Sequence, residues 1–154
     1  MGIQFVVLGT GDAHYEDMFK FLAYTHPQSV SANICFDSTF ANRLYAASDF
    51  FLMPSKSEPC GLSQMVALRY GTVPIVRETG GLRDSITDCG DGKGNGFTFK
   101  SYNAHDMLDA IRRALTLYYN GDWNELVLRA LNCDFSWGRS ANAYIRLYKE
   151  TLKG

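Results

Sequence analysis

"DFFLMPSKSEPCGLSQMVALRYGTVPIVRETGG" (residues 49–81) decides the fold, because it reads as strand, helix and strand in immediate succession. Its opening "DFFLMP" (49–54) is a short apolar run, and "TVPIV" (72–76) is a second one rich in β-branched residues; both have the length of a strand. Between them "SQMVALRY" (63–70) is helix-forming and is stopped by Gly71. Two strands joined through a helix run parallel, since the crossover returns the chain to the end of the sheet it started from.

The same alternation extends outward from this stretch. "IQFVVLG" (3–9) is predicted to be a buried parallel strand ended by Gly9, Gly11 and Asp12. A helix follows, with Met18, Phe19, Leu22 and Ala23 as its apolar stripe and His26-Pro27 as its stop. "SVSANICF" (29–36) reads as a strand, and Phe40, Leu44, Tyr45 and Ala47 recur at helical spacing. Beyond Gly81, "GDGKGNG" (90–96) is expected to be a flexible surface loop and "GFTF" (96–99) an edge strand. The rest is helical: Asn103 with Asp106 resembles a capping pair, and Ala104, Met107, Leu108, Ile111 and Leu115 form a stripe. Further helices are predicted around Trp123–Leu131 and over 140–152, the last with Tyr144, Ile145, Tyr148 and Leu152 on one side. The predicted fold class is α/β, a single domain over 1–154 with a Rossmann-like parallel sheet and helices on both faces. In such sheets ligands sit where loops leave the C-terminal ends of the strands.

Composition narrows the function. A hydrophobic share of 46% and a charged share of 20% are those of a soluble globular protein. Fifteen basic and sixteen acidic residues leave a net charge of −1, with no basic cluster longer than a pair, so neither nucleic acid nor a membrane is expected as a partner. No apolar stretch approaches the length of a membrane span, and no leader pattern directs secretion. Cys35, Cys60, Cys89 and Cys133 are widely spaced without a C-x-x-C pair, which argues against a zinc site or a disulfide scaffold and fits a reducing, cytoplasmic setting.

Glu58 follows the strand that ends near Met53, on the side where a site would form, and Pro59 biases it toward an extended backbone. Two readings are open: a solvated loop acid, or a carboxylate presented to a cleft. Gly61 favours the cleft, since a residue without Cβ at the start of a helix lets a ligand approach unpaired N–H groups, which attract an anion such as a diphosphate. Ser63 could add a hydroxyl, while Leu62, Met65, Val66 and Leu68 read as core. Thr79-Gly80-Gly81 is either a plain glycine turn or a concavity of consecutive N–H groups. Thr10-Gly11-Asp12 is weaker, as it does not match G-x-G-x-x-G. His14, His26 and His105 lie apart and no G-x-S-x-G is present, so neither a zinc nor a serine hydrolase is indicated. Phe36, at the predicted end of a strand, is either core or a π face for a base.

Taken together, "EPCGL" (58–62), "ALRYGTVPIVRETGGLRDSI" (67–86), "GNGFTF" (94–99) and "DFSWGRSANAYIRLY" (134–148) strongly resemble the C-terminal domain of bacterial glycogen synthases and starch synthases. These are retaining glucosyltransferases of family 5 with the two-lobed GT-B architecture, and the resemblance runs over nearly the whole chain. It implies that ADP-glucose is held in a cleft and that its glucose passes to the non-reducing 4-hydroxyl of an α-1,4-glucan such as glycogen. It also implies that Glu58 stands beside the donor glucose and stabilises an oxocarbenium-like transition state. Cys60, Gly61, Leu62 and Ser63 would line the glucose and diphosphate, Phe36 would stack on the adenine, and Thr79, Gly80 and Gly81 would belong to the donor-site wall. Neither a metal nor another cofactor is implied. Val66 stands where many related transferases carry a second glutamate, a departure shared with glycogen synthases.

The resemblance further implies that the acceptor-binding lobe, its K-x-G-G-L loop and an R-x-x-x-Q-K-G segment lie outside these residues, so that the chain alone is expected to be inactive. The first strand and helix of the lobe would be missing as well. That strand is central in the 3-2-1-4-5-6 order, so the Ile3 and Asp49 strands are expected either to pair directly or to be completed by another copy, through a homo-oligomer or strand exchange. Two alternatives remain open: a domain for another nucleotide sugar, and a non-catalytic nucleotide- or glucan-binding module.

Overall fold

Every strand pairing is parallel, as the strand–helix–strand pattern requires. The computed structural model describes residues 2–152. Its strands form two sheets, one with β1 (Phe5–Leu8) beside β2 (Val30–Asn33), the other with β3 (Phe50–Met53), β4 (Val73–Arg77) and β5 (Phe97–Phe99) in that order. The chain divides into two compact units, Met1–Leu44 and Tyr45–Gly154. Direct pairing of the first and third strands, one of the two arrangements expected above, is not among the pairings of the described residues.

In the first unit, α1 (Ala13–Thr25) begins where the Asp12 carboxylate accepts the His14 N–H at 2.9 Å, while the Gly11 N–H donates to Glu16 Oε1 at 2.9 Å. The Thr10-Gly11-Asp12 turn therefore provides the helix cap, and its Gly11 N–H is taken up by Glu16. β2 stops at Asn33, three residues before the predicted end. The Asn33 amide reaches Val7 O, and the Cys35 N–H turns back to Asn33 O at 3.0 Å. Phe36 thus lies in the loop before α2 (Ser38–Ala47), which is capped by the Asp37 carboxylate on the Phe40 N–H.

In the second unit β4 is buried on both faces along residues 73–76, and that run is apolar. Val73 and Ile75 pack with Phe97, Phe99, Ala110, Ala114 and Leu126, whereas Val76 faces Leu68, Leu82, Ile86 and Ala130. Each fully buried Val, Ile, Leu or Phe among them contributes about 1.5–3 kcal/mol. The helices supplying these layers are α3 (Ser63–Arg69), α4 (Gly80–Ser85), α5 (Ala104–Asn120) and α6 (Trp123–Leu131). The Asn103 cap on the Asp106 N–H is present as predicted, at 2.9 Å. The last helix, α7 (Trp137–Thr151), has no buried residue, and Tyr144, Ile145 and Tyr148 are exposed.

The 90–96 segment departs from the flexible loop expected. Gly94 and Gly96 are buried. Arg129 Nε donates to Gly94 O at 2.9 Å, and the Asn95 amide donates to Ser85 O at 3.0 Å and accepts the Thr87 N–H at 2.8 Å. A 3-10 turn at Cys89–Asp91 starts from Asp88, whose carboxylate also accepts the Thr98 N–H at 2.7 Å and both oxygens of which take Arg113 Nη1 at 2.9 Å. Burial alone would raise the Asp88 carboxyl, but these donors outweigh it and hold it below the usual carboxylate range. A depressed folded value stabilises the protein above the unfolded value and loses that contribution as pH falls through the folded one. Asp88→Asn is therefore expected to cost about 2–3 kcal/mol at pH 7 in urea unfolding. Below about pH 4 the difference from the parent chain should shrink as the native carboxylate is protonated.

Candidate functional site

Two loops meet at the C-terminal ends of β3 and β4. The first, residues 54–62, carries Glu58 from the end of β3 toward α3, and the second is the turn from β4 into α4. Their contact is made by main chain. The Gly81 N–H donates to Glu58 O at 3.1 Å. A Cβ on Gly80, whose φ is +44°, would lie 1.9 Å from Glu58 O, and one on Gly81 would lie 1.8 Å from Cys60 O. Both positions require glycine because the loop occupies the space of a side chain.

This corrects the expectation for Thr79-Gly80-Gly81. The pair opens a short helix, with Thr79 as a cap that makes no side-chain cap bond, and does not form a turn of consecutive free amides. The Thr79 N–H bonds Arg77 O at 2.9 Å and the Gly81 N–H bonds Glu58 O, so only Gly80 of the three lacks a backbone acceptor among the described residues.

Gly61 is also corrected. It precedes α3 rather than lying in its first turn, and its φ is +70°. A Cβ there would come 2.6 Å from Gln64 Oε1, so the protein's own Gln64 fills that space. Gln64 is wholly buried, and its Nε2 donates to Gly61 O at 2.8 Å, to Ser85 Oγ at 3.0 Å and to Cys60 O at 3.5 Å. Ser85 Oγ passes a hydrogen bond on to Gly81 O at 2.6 Å. Sequence reasoning missed Gln64, which there looks like an ordinary helix residue.

The remaining candidates are placed as follows. Glu58 is partly exposed, and no partner for its carboxylate is present among the described residues. Cys60 is exposed and Ser63, the first residue of α3, is partly exposed. Leu62 is 67% exposed and Val66 is exposed too, so neither is the core residue expected; Leu68 is. The loop is steadied upstream by Arg77, whose Nη1 donates to Lys56 O at 2.8 Å and whose Nε donates to Lys100 O at 3.1 Å. The structure thus brings Glu58, Cys60, Gly61, Gly80 and Gly81 together within the second unit. Phe36 belongs to the first unit, where its ring is 91% exposed rather than core.

All four cysteines are free thiols. Burial, reinforced by the nearby Asp88 charge, pushes Cys89 up to about 11. Among the described residues no group of three or more His, Cys, Asp or Glu is placed to hold a metal ion, and no helix is long and apolar enough to cross a membrane.

Residues 2–125 match the family described as Glycosyl transferases group 1. Among curated relatives, the glycogen synthase of Clostridium novyi is 57% identical over 153 residues, or 97% of this chain and 32% of the relative. The glycogen synthase of Bacillus cereus is 49% identical over 154 residues, again 32% of its length. The chain thus spans about a third of the length of the curated relatives it matches. Among solved structures, the catalytic domain of starch synthase IV from Arabidopsis thaliana, bound to ADP and acarbose, superposes with a TM-score of 0.83 at 37% identity, covering 98% of this chain and 33% of that one. Sucrose-phosphate synthase from Thermosynechococcus elongatus shares the fold, with a TM-score of 0.66 at 20% identity over 97% of this chain and 39% of that one.

Proposed function

The chain belongs to the group 1 glycosyl transferases, and from that premise we propose that it is the donor-binding part of a glycogen synthase that moves glucose from ADP-glucose to an α-1,4-glucan. The observation that carries the proposal is the interlock at the rim of the β3–β4–β5 sheet, where the Glu58 loop is held against Gly80 and Gly81. A carboxylate without a protein partner beside such a rim suits a sugar whose ring gains positive charge as the leaving group departs. Cys60, Gly61, Leu62 and Ser63 are proposed to line the glucose and diphosphate, with Thr79, Gly80 and Gly81 behind them. Within the first unit, Phe36 is proposed to offer its exposed ring to the adenine. The starch synthase neighbour, which holds ADP, supports this choice of nucleotide.

Thiol chemistry tests the proposal. In a Cys35→Ser variant, Cys60 is the one fully exposed cysteine, since Cys89 is buried with a raised pKa and Cys133 is partly buried. At a ligand concentration about ten times the dissociation constant, ADP-glucose is expected to slow Cys60 modification about tenfold. UDP-glucose at the same concentration should protect far less. Equal protection by both would favour a different donor, and no protection by either would remove nucleotide-sugar binding from this loop. Mixed with glycogen and ADP-glucose, the 154-residue chain is expected to transfer no glucose.

A further inference from the structure

Gln64 is the only buried side chain among the described residues that leaves a polar atom, Oε1, without a hydrogen-bond partner. Its amide cannot be turned to relieve this. Exchanging Nε2 for Oε1 would set an oxygen against the carbonyl oxygens of Cys60 and Gly61, which now accept from Nε2. An orphaned buried acceptor costs free energy, so the orientation is maintained by what Nε2 gains.

That gain has a geometric consequence. In a trans peptide the C=O and the following N–H point in opposite directions. Drawing Cys60 O and Gly61 O inward to Gln64 therefore turns the Gly61 and Leu62 N–H groups outward, and neither has an acceptor among the described residues. The chain from Gln64 Nε2 through Ser85 Oγ to Gly81 O, and from the Gly81 N–H to Glu58 O, fixes both ends of the segment. We propose that Gln64 is the positioning residue of the donor site. It never touches the donor, but it sets the two peptides whose N–H groups meet the diphosphate and, through Ser85 and Gly81, the backbone from which Glu58 projects. The ligand half of this inference rests on the function proposed above; the loop half does not.

The two halves are tested separately on the 154-residue chain. Without ligand, the Gln64 side-chain amide protons are expected to exchange slowly with solvent, and Gln64→Met to move the Gly61, Leu62 and Gly81 backbone amide resonances together. Ser85→Ala, a gentler removal of one partner, is expected to move the same three by less. Unchanged resonances in both variants would overturn the loop half. With ligand, ADP affinity of the folded Gln64→Met chain is expected to fall about tenfold, while adenosine affinity stays within about twofold, because only the diphosphate meets these amides. A lower unfolding midpoint with unaltered ADP affinity would reduce Gln64 to a structural residue and overturn the ligand half. Failure of the parent chain to bind ADP would instead overturn the nucleotide-sugar reading and the ligand half with it, and the resonance shifts would still decide the loop half.

Discussion

In a full-length glycogen synthase carrying this segment, Glu58→Ala is expected to lower kcat about a hundred- to a thousandfold while the KM for ADP-glucose stays within about threefold. The asymmetry follows from when the carboxylate acts. On the proposed reading, in the ground state it accepts a hydrogen bond from a sugar hydroxyl. In the proposed transfer, positive charge would accumulate on the glucose ring as its bond to ADP breaks, and the same carboxylate would then supply Coulombic stabilisation absent from the ground state. Glu58→Gln, which keeps the hydrogen bond and loses the charge, should recover binding without recovering turnover. Equal losses in kcat and in donor affinity for both variants would assign Glu58 to ground-state binding alone.

The second large effect is on folding. Gly81→Ala would set a methyl group 1.8 Å from Cys60 O, so either the loop or α4 must move and the Gly81–Glu58 hydrogen bond is lost. A loss of about 3 kcal/mol or more is expected in urea unfolding, or about 10 °C in Tm for a chain of this size. Gly92→Ala is the matched control: its φ is +76° but nothing lies within 4 Å of the added Cβ, so it should show only the left-handed backbone penalty of about 1 kcal/mol. If the two variants proved equally stable, the close approach of loop and helix would not exist in solution.

These two residues also mark how far the sequence could be read. Glu58 was legible as a candidate because a strand period, a proline and a helix period bracket it, and those are local signals. The helix at Gly80–Ser85 was not, because a glycine pair ordinarily signals a turn. What makes it a helix start here is the pressure of the Glu58 and Cys60 carbonyls from twenty residues upstream, which no local pattern records. The same holds for residues 90–96, whose glycines and charges read as a mobile surface until Asp88, Arg129 and Asn95 are seen to pin them. Gln64 gave no signal at all, since a glutamine on a short helix ordinarily reads as a surface residue, and the Ser85 hydroxyl that accepts from it lies on another element. Leu62 and Val66 erred in the other direction: hydrophobicity placed them inside, but α3 is only two turns long and turns Gln64, Ala67 and Leu68 inward.

Because the Glu58–Leu62 segment is anchored through its carbonyls, the side chains at 60 and 62 are decorations on a frame that does not depend on them. Cys60 is exposed and Leu62 largely so, and neither side chain makes a hydrogen bond within the frame. Combinatorial replacement at those two positions should therefore sample new surface chemistry on an unaltered backbone, which makes them the natural starting pair for retuning the proposed choice of sugar donor.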